Sequence, residues 1–296
     1  MNSAKNLPQS VLARLKNKAR EANFEYQQVL TRYGLERMLY RLSVSEHGGA
    51  FLLKGAMLFN LWFDIPIRPT TDVDMLGYGD HGLDTLKAIF RDICTITVDD
   101  GIVFDADTVE AAEIRKESNY AGVRVTFTGF IDKVRCPIQV DIGYGDAVTP
   151  GAEEIEYPVL LADMPSPALS AYPRYTVVAE KTEAMLSLAM ANTRMKDYFD
   201  LWILSRHSDF EGAVMQQAVT ATLERRETLA DLQPIGLADD FAKDVSKRAQ
   251  WRGFIRKNKL QAPELPVVIE ELRFFLLPVL AGSVGDQRWK AGGPWQ

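Results

Sequence analysis

Residues 51–77 read FLLKGAMLFNLWFDIPIRPTTDVDMLG. With Ala50, the run AFLLK is short and apolar enough for a buried strand. Gly55 follows at once, and AMLFNLW carries a short helix until Pro66 and Pro69 break it. DVDML then reads as a second strand, yet it holds two carboxylates one residue apart. Side chains at i and i+2 of a strand point the same way, so Asp72 and Asp74 project together from one face. Like charges this close raise each other's pKa unless a cation sits between them. Hard oxygens at this spacing suit Mg²⁺, or Mn²⁺ in its place, an ion that fills its shell with water and substrate phosphates. The competing reading makes Asp72 a strand cap and Asp74 a solvent-facing residue.

The same stretch holds groups that suit phosphate. Glycine at a strand-to-helix junction lets an anion approach orphan backbone N–H groups at the helix start. Lys54, Gly55 and Ala56 line that junction, and Thr70 and Thr71 add hydroxyls. The continuation GYGDHG, 77–82, spells a dinucleotide fingerprint, which needs a near-continuously apolar strand before it and an acidic residue closing a second strand about 20 residues on. Asp72 and Asp74 spoil the first requirement, and Asp99 and Asp100 follow a helix without an intervening strand. The glycines read as a turn.

Outward from this stretch, residues 8–47 read as two helices on the spacing of Val11, Leu12, Leu15 and of Leu30, Tyr33, Met38, Leu39, Leu42. LDTLKAIFRDICTI (83–96) is an amphipathic helix. GVRVTFTGFI (122–131) alternates like a half-exposed strand, and CPIQVDIGY (136–144) is another. In the latter Asp141 shares the polar face with Gln139, which makes it a candidate third metal ligand. Three carboxylates on neighbouring strands suit a pair of metals about 3.5–4 Å apart, the clamp used in in-line phosphoryl transfer. Five prolines between 150 and 173 suggest an extended connector. Beyond it the chain reads as helices over 177–192, 196–207, 210–225, 238–258 and 265–279, with a loose tail after 280.

The boundaries that follow are a helical segment over 1–48, an α/β core over 49–160, a helical domain over 161–280 and a loose tail over 281–296. The fold class is α/β (α+β): a mixed sheet core with N-terminal helices and a helical C-terminal domain. A chain of 296 residues with 47% hydrophobic and 25% charged residues is an ordinary globular protein. No apolar run reaches the length of a membrane span, and no secretory signal opens the chain. Cys94 and Cys136 lack metal-ligand spacing and form no disulfide framework, so a reducing cytoplasm is expected.

The net charge of −6 is unevenly spread, with eight basic against three acidic residues over 1–41 and seven against one over 243–259. Basic ends around an acidic centre suit an anionic polymer held over a metal site, or else two solvated helix faces. Arg248, Arg252 and Arg256 form an i+4 stripe, with Lys247 and Lys257 beside it and Trp251 placed to stack on a base.

A second motif, AEKTEAMLSLAMANTRMKDYFDLWIL (179–204), sets Asp197 and Asp200 on one helical face, with Lys181 one helix earlier. Structurally it reads as a salt bridge between two helices. Together the motifs carry a resemblance. Strand, glycine, short helix, loop and a strand with DxD is the arrangement of the nucleotidyltransferase superfamily. Lys54, Gly55, Arg68, Thr70, Asp72, Val73, Asp74 and Met75 match the first motif of the AbiEii/AbiGii toxin family of bacterial nucleotidyltransferases. Glu180, Lys181, Arg194, Lys196, Asp197, Asp200 and Leu201 match its second. The likeness covers residues 24–205 and departs at Ala56, where the family usually has a second glycine.

The resemblance implies a nucleotidyltransferase-type core and transfer of a nucleoside monophosphate from an NTP to an acceptor hydroxyl. RNA, at tRNA 3′ ends, is the favoured acceptor, and a cognate antitoxin the expected partner. Asp72 and Asp74 would bind metal, Lys181 would meet the triphosphate, and Asp197 would orient Lys181 or activate the hydroxyl. A metal-dependent nuclease would use the carboxylates without needing Gly55 or Lys181, and a non-catalytic RNA- or DNA-binding regulator would use only the basic ends.

Overall fold

The computed structural model describes residues 7–63, 68–79, 82–115 and 121–296. Pro66, and Asp80 and His81 of the glycine-rich turn, lie outside them. The chain divides into two units, the first holding the N-terminal helices and a sheet, the second holding Arg68, Asp146–Ala152 and Tyr172–Gln296.

Seven strands form the sheet of the first unit: β1 (Phe51–Lys54), β2 (Val73–Gly77), β3 (Val103–Arg115), β4 (Ala121–Ile131), β5 (Val134–Tyr144), β6 (Glu153–Glu156) and β7 (Ala168–Ala171). Their spatial order is β3-β4-β5-β2-β1-β7-β6. β2 runs parallel to β5 and antiparallel to β1, and β1 runs parallel to β7. This is a mixed sheet, and among the described residues the strand before the glycine-rich turn and the strand after the next helix do not form the parallel strand–helix–strand unit that a dinucleotide fingerprint serves. After β2 the chain forms α4 (Leu83–Thr95) and then β3, which is paired antiparallel with β4.

Val73, Met75, Val125, Phe127, Val140 and Ile142 are all buried on one face. The helices α1 (Leu7–Glu21), α2 (Tyr26–Val44) and α4 belong to the same unit. Phe90 of α4 meets Phe127, with ring centroids 6.1 Å apart. Gly34 of α2 is pressed so near Ile138 and Cys136 that a Cβ there would lie 3.0 Å from the isoleucine. Aspartates and an arginine are left to the opposite face by the period-two alternation of the strands.

In the first unit two stretches differ from the sequence reading. β3 was not expected, because VFDADTVEAAEIR has no clean alternation; it is an edge strand whose register shifts between Asp105 and Glu110. The proline-rich connector contains β6 and β7, which pair antiparallel and extend the sheet past β1. The α/β unit therefore reaches Ala171, and the N-terminal helices are part of it.

The second unit is helical: α5 (Arg174–Leu188), α6 (Met195–His207), α7 (Gly212–Arg225), α8 (Asp239–Lys243), α9 (Val245–Lys257) and α10 (Leu265–Leu280). The single helix expected over 238–258 is broken at Asp244, whose carboxylate accepts from the Lys247 N–H as the N-cap of α9. The tail is not loose. Its strand β9 (Arg288–Trp289) pairs with β8 (Phe210–Glu211). Trp289 Nε1 donates to the Ser205 carbonyl, and the Trp295 ring stacks on Phe275 at 6.1 Å. Two tryptophans on an apolar ridge outweigh the mobility that four glycines would otherwise confer.

Candidate active site

Strand register sets the carboxylates of the first unit. Asp74 pairs with Lys54 on one side and with Asp141 on the other, and Asp141 pairs with Arg124. One row across four strands thus reads Lys54, Asp74, Asp141, Arg124, alternating in sign only at its ends. Directly paired residues share a face, so all four project together, with Asp72 and Gln139 one step along. Asp72 and Asp74 are both half-buried, and Thr71 beside them is exposed.

Gly55 has φ +74°, in the left-handed region, and a Cβ there would collide with the Asp74 carboxylate and lie 2.8 Å from the Asp74 Cβ. The glycine at the strand-to-turn junction is therefore required by Asp74 itself, quite apart from any phosphate. Gly55–Met57 is a 3₁₀ turn, and the following α3 (Leu58–Trp62) has five residues. So short a helix has little macrodipole, which weakens the helix-terminus argument for phosphate. Ala56 is buried. The Thr70 hydroxyl donates to Asp72 Oδ1 at 2.7 Å, a bond that fixes the carboxylate and spends the donor expected to meet phosphate.

Arg124 had no role in the sequence reading. Its Nε and Nη2 donate to Asp141 Oδ1 and Oδ2, each at 2.8 Å. That fork, aided by the charges of Asp72 and Asp74, raises the guanidinium pKa above its ordinary value. Gln139 lies within 3.5 Å of Asp72 and 3.4 Å of Asp141, but nearer to Arg124; we assign its amide oxygen as accepting from Arg124 Nη2 and Nε at 3.2 and 3.3 Å. Among the described residues, the group whose ligand atoms gather within 4.8 Å is Glu46, His47 and Asp92, not the sheet aspartates. It has no second feature that points to an ion. The sheet face fits a hard divalent ion by donor chemistry: Asp72 and Asp74 offer oxygens on one side of β2, while Asp141 is turned to Arg124.

In the second unit the other motif forms a buried ionic cluster. Lys181 Nζ lies 2.7 Å from Asp197 Oδ1 and 2.8 Å from Asp200 Oδ2. Arg68 forks onto Asp200 with two bonds of 2.9 Å. Arg194 Nε lies 2.7 Å from Asp197 Oδ2 as an ion pair without an aligned hydrogen bond. Burial would push the Asp200 carboxyl up, but Arg68 and Lys181 outweigh it and hold it at about 2. Burial likewise opposes the charge on Asp197 and is reversed by Lys181 and Arg194. Lys181 is stabilised as the cation by both aspartates against its own desolvation. With both oxygens facing cations and no exposure, Asp197 is built to orient Lys181 rather than to take a proton from a hydroxyl. Three cations against two carboxylates leave the cluster with one net positive charge.

The basic stripe of α9 is only partly available. Lys247 is buried and donates to the Asn192 carbonyl at 2.8 Å. Trp251 is a core residue, its Nε1 bonded to the Pro263 carbonyl. Neither side chain is placed to meet a base. Arg252, Arg256 and Lys257 are exposed.

Among the described residues no helix is long and apolar enough to cross a membrane. No curated protein matches the chain. The structure of JHP933 from Helicobacter pylori is similar, with a TM-score of 0.51 and 16% identity over 88% of this chain and 93% of that one. A second H. pylori structure, of a candidate nucleotidyltransferase, gives a TM-score of 0.48 at 16% identity with the same coverage. At this identity the first likeness speaks for the fold. A family model described as "Nucleotidyl transferase AbiEii toxin, Type IV TA system" matches residues 37–276. The match spans both units and both motifs: the chain belongs to the AbiEii nucleotidyl transferase toxin family and is a nucleotidyltransferase.

Proposed function

We propose that this enzyme is Mg²⁺-dependent, with Mn²⁺ able to substitute, and moves a nucleoside monophosphate from an NTP onto an RNA hydroxyl, with tRNA 3′ ends as the favoured acceptor. It acts as a cytoplasmic toxin held in check by a cognate antitoxin. The observation that carries the reading is the row of Asp74 and Asp141 in register on neighbouring strands, with Asp72 beside Asp74 on the same strand face. Asp72 and Asp74 hold the ion, and Asp141 lies next to them. A bound divalent ion supplies charge neutralisation at the phosphates. The hydroxyl oxygen bonds to the α-phosphorus and gives up its proton to water as the bond to the β-phosphate oxygen breaks, and pyrophosphate leaves with the electron pair of that bond.

Lys54, the Gly55–Ala56 turn, Thr70 and Thr71 form the nucleotide-binding set. Thr70 acts through Asp72, and Gly55 by leaving room for Asp74. Lys181, positioned by Asp197, is the cation assigned to the triphosphate. A nuclease reading leaves the Lys181 cluster without a chemical task, and nothing in the geometry favours it. The acceptor is tested by incubating the protein with each NTP, Mg²⁺ and total bacterial RNA, then sequencing RNA 3′ ends. Added nucleotides on tRNA-sized species are expected; unmodified RNA together with a labelled protein would move the acceptor class to protein.

A further inference from the structure

Arg124 stands at one end of the charged row, and its chemistry bears on how many ions the row takes up. Its side chain is 41% exposed while Asp141 is 9% exposed. The planar fork engages both oxygens of that carboxylate, and such bidentate, charge-assisted pairs are about twice as strong as neutral hydrogen bonds. Gln139 accepts from the same guanidinium and braces it. At the other end of the row, buried Lys54 pairs with Asp74. Three carboxylates against two cations leave one net negative charge on the face. One divalent ion reverses that sign. A second would pile up positive charge and would have to dislodge a fork with two bonds of 2.8 Å.

We propose that Arg124 is a built-in second cation: the site takes up one divalent ion, on Asp72 and Asp74, and the guanidinium occupies Asp141 in place of another. The inference rests on the proposed metal-binding role of Asp72 and Asp74. It specifies that Asp141 acts as the holder of Arg124 rather than as a metal ligand. In the reaction the guanidinium supplies, without needing to be recruited from solution, positive charge that a second ion brings elsewhere.

The test counts ions on the protein. Mn²⁺ is titrated with free ion read by electron paramagnetic resonance, with and without a non-hydrolysable NTP analogue. Wild type is expected to bind one Mn²⁺ per chain in both cases, and Asp72→Asn to lose it. Arg124→Ala is expected to take up a second ion and to bind the first about tenfold more tightly, since a nearby positive charge has gone. Arg124→Met, which keeps the aliphatic stem, should behave alike, and Arg124→Lys should keep the single-ion count. Melting curves confirm that each variant is folded. Two ions on wild type, or one ion of unchanged affinity on both Arg124→Ala and Arg124→Met, would overturn the inference while leaving the metal role intact. No Mn²⁺ on wild type, or full binding by Asp72→Asn, would overturn the metal role and this inference with it.

Discussion

Gly55 shows how one residue ties backbone to chemistry. Its positive φ and its closeness to Asp74 leave no room for a side chain. Gly55→Ala should cost about 1–2 kcal/mol for the left-handed conformation alone and should also push Asp74 aside. The expected outcome is a lowered melting temperature with nucleotide transfer reduced at least as far as in a Thr70→Val variant, where only the bond to Asp72 is lost. Normal activity in Gly55→Ala would show that the position of Asp74 is not critical. The pairing of Asp72 with Asp74 was legible because strand period two is a property of the chain itself. Arg124 was not. Its partnership with Asp141 depends on the β4–β5 register, and alternation shows only which residues share a face, not which ones stand opposite.

At the level of elements, α5 and α6 are joined by ions rather than by apolar contact alone. Asp200 is held at about 2 against an ordinary 3.8, so its contribution is complete above pH 4 and is lost as pH falls toward 2. A shift of that size corresponds to on the order of 2 kcal/mol. Lys181, raised above 10.5, contributes below that value and loses its contribution as pH climbs through the folded pKa. Asp200→Asn should therefore flatten the melting temperature between pH 4 and 2; an unchanged acid limb would mean that other carboxylates govern it. Lys181→Ala leaves two buried carboxylates short of a cation and should destabilise by about 3–5 kcal/mol. Its loss of NTP affinity is thus best compared with that of Lys181→Arg and Asp197→Asn by calorimetry. If folded Asp197→Asn and Lys181→Arg bind Mg²⁺-NTP like wild type, the cluster is structural. The motif's i, i+3 spacing made this cluster readable in outline, while Arg68 reached it by a fold-level path that no local pattern announces. Edge strands β3 and β6 were missed for a related reason. Acidic, half-solvated strands lack the apolar alternation on which strand recognition depends.

Across the whole molecule, basic ends and an acidic centre survive as a fact of sequence, but folding removes part of the apparent nucleic-acid surface. Trp251→Ala should behave as a core truncation, costing about 3–5 kcal/mol, with RNA affinity altered only through stability. Charge reversal of exposed Arg252, Arg256 and Lys257 should instead lower the slope of log affinity against log salt by about 0.7–0.9 per lost phosphate contact. A slope equal to that of wild type would exclude α9 from the RNA surface. The tail shows how composition can mislead: glycines suggested mobility, but Trp289 and Trp295 anchor the segment on Phe275. The central claim remains that the DxD strand carries metal-dependent transfer of a nucleotide. It is tested most directly with NTP labelled at the α-phosphate, or in parallel at the γ-phosphate, incubated with total RNA and Mg²⁺, using wild type, Asp72→Asn and Asp74→Asn. The account predicts acceptor-bound α-label with wild type, none of the γ-label, and loss of α-label with EDTA or with either folded variant. Retained transfer in Asp72→Asn or Asp74→Asn, or acceptor labelling from the γ-phosphate, would contradict it.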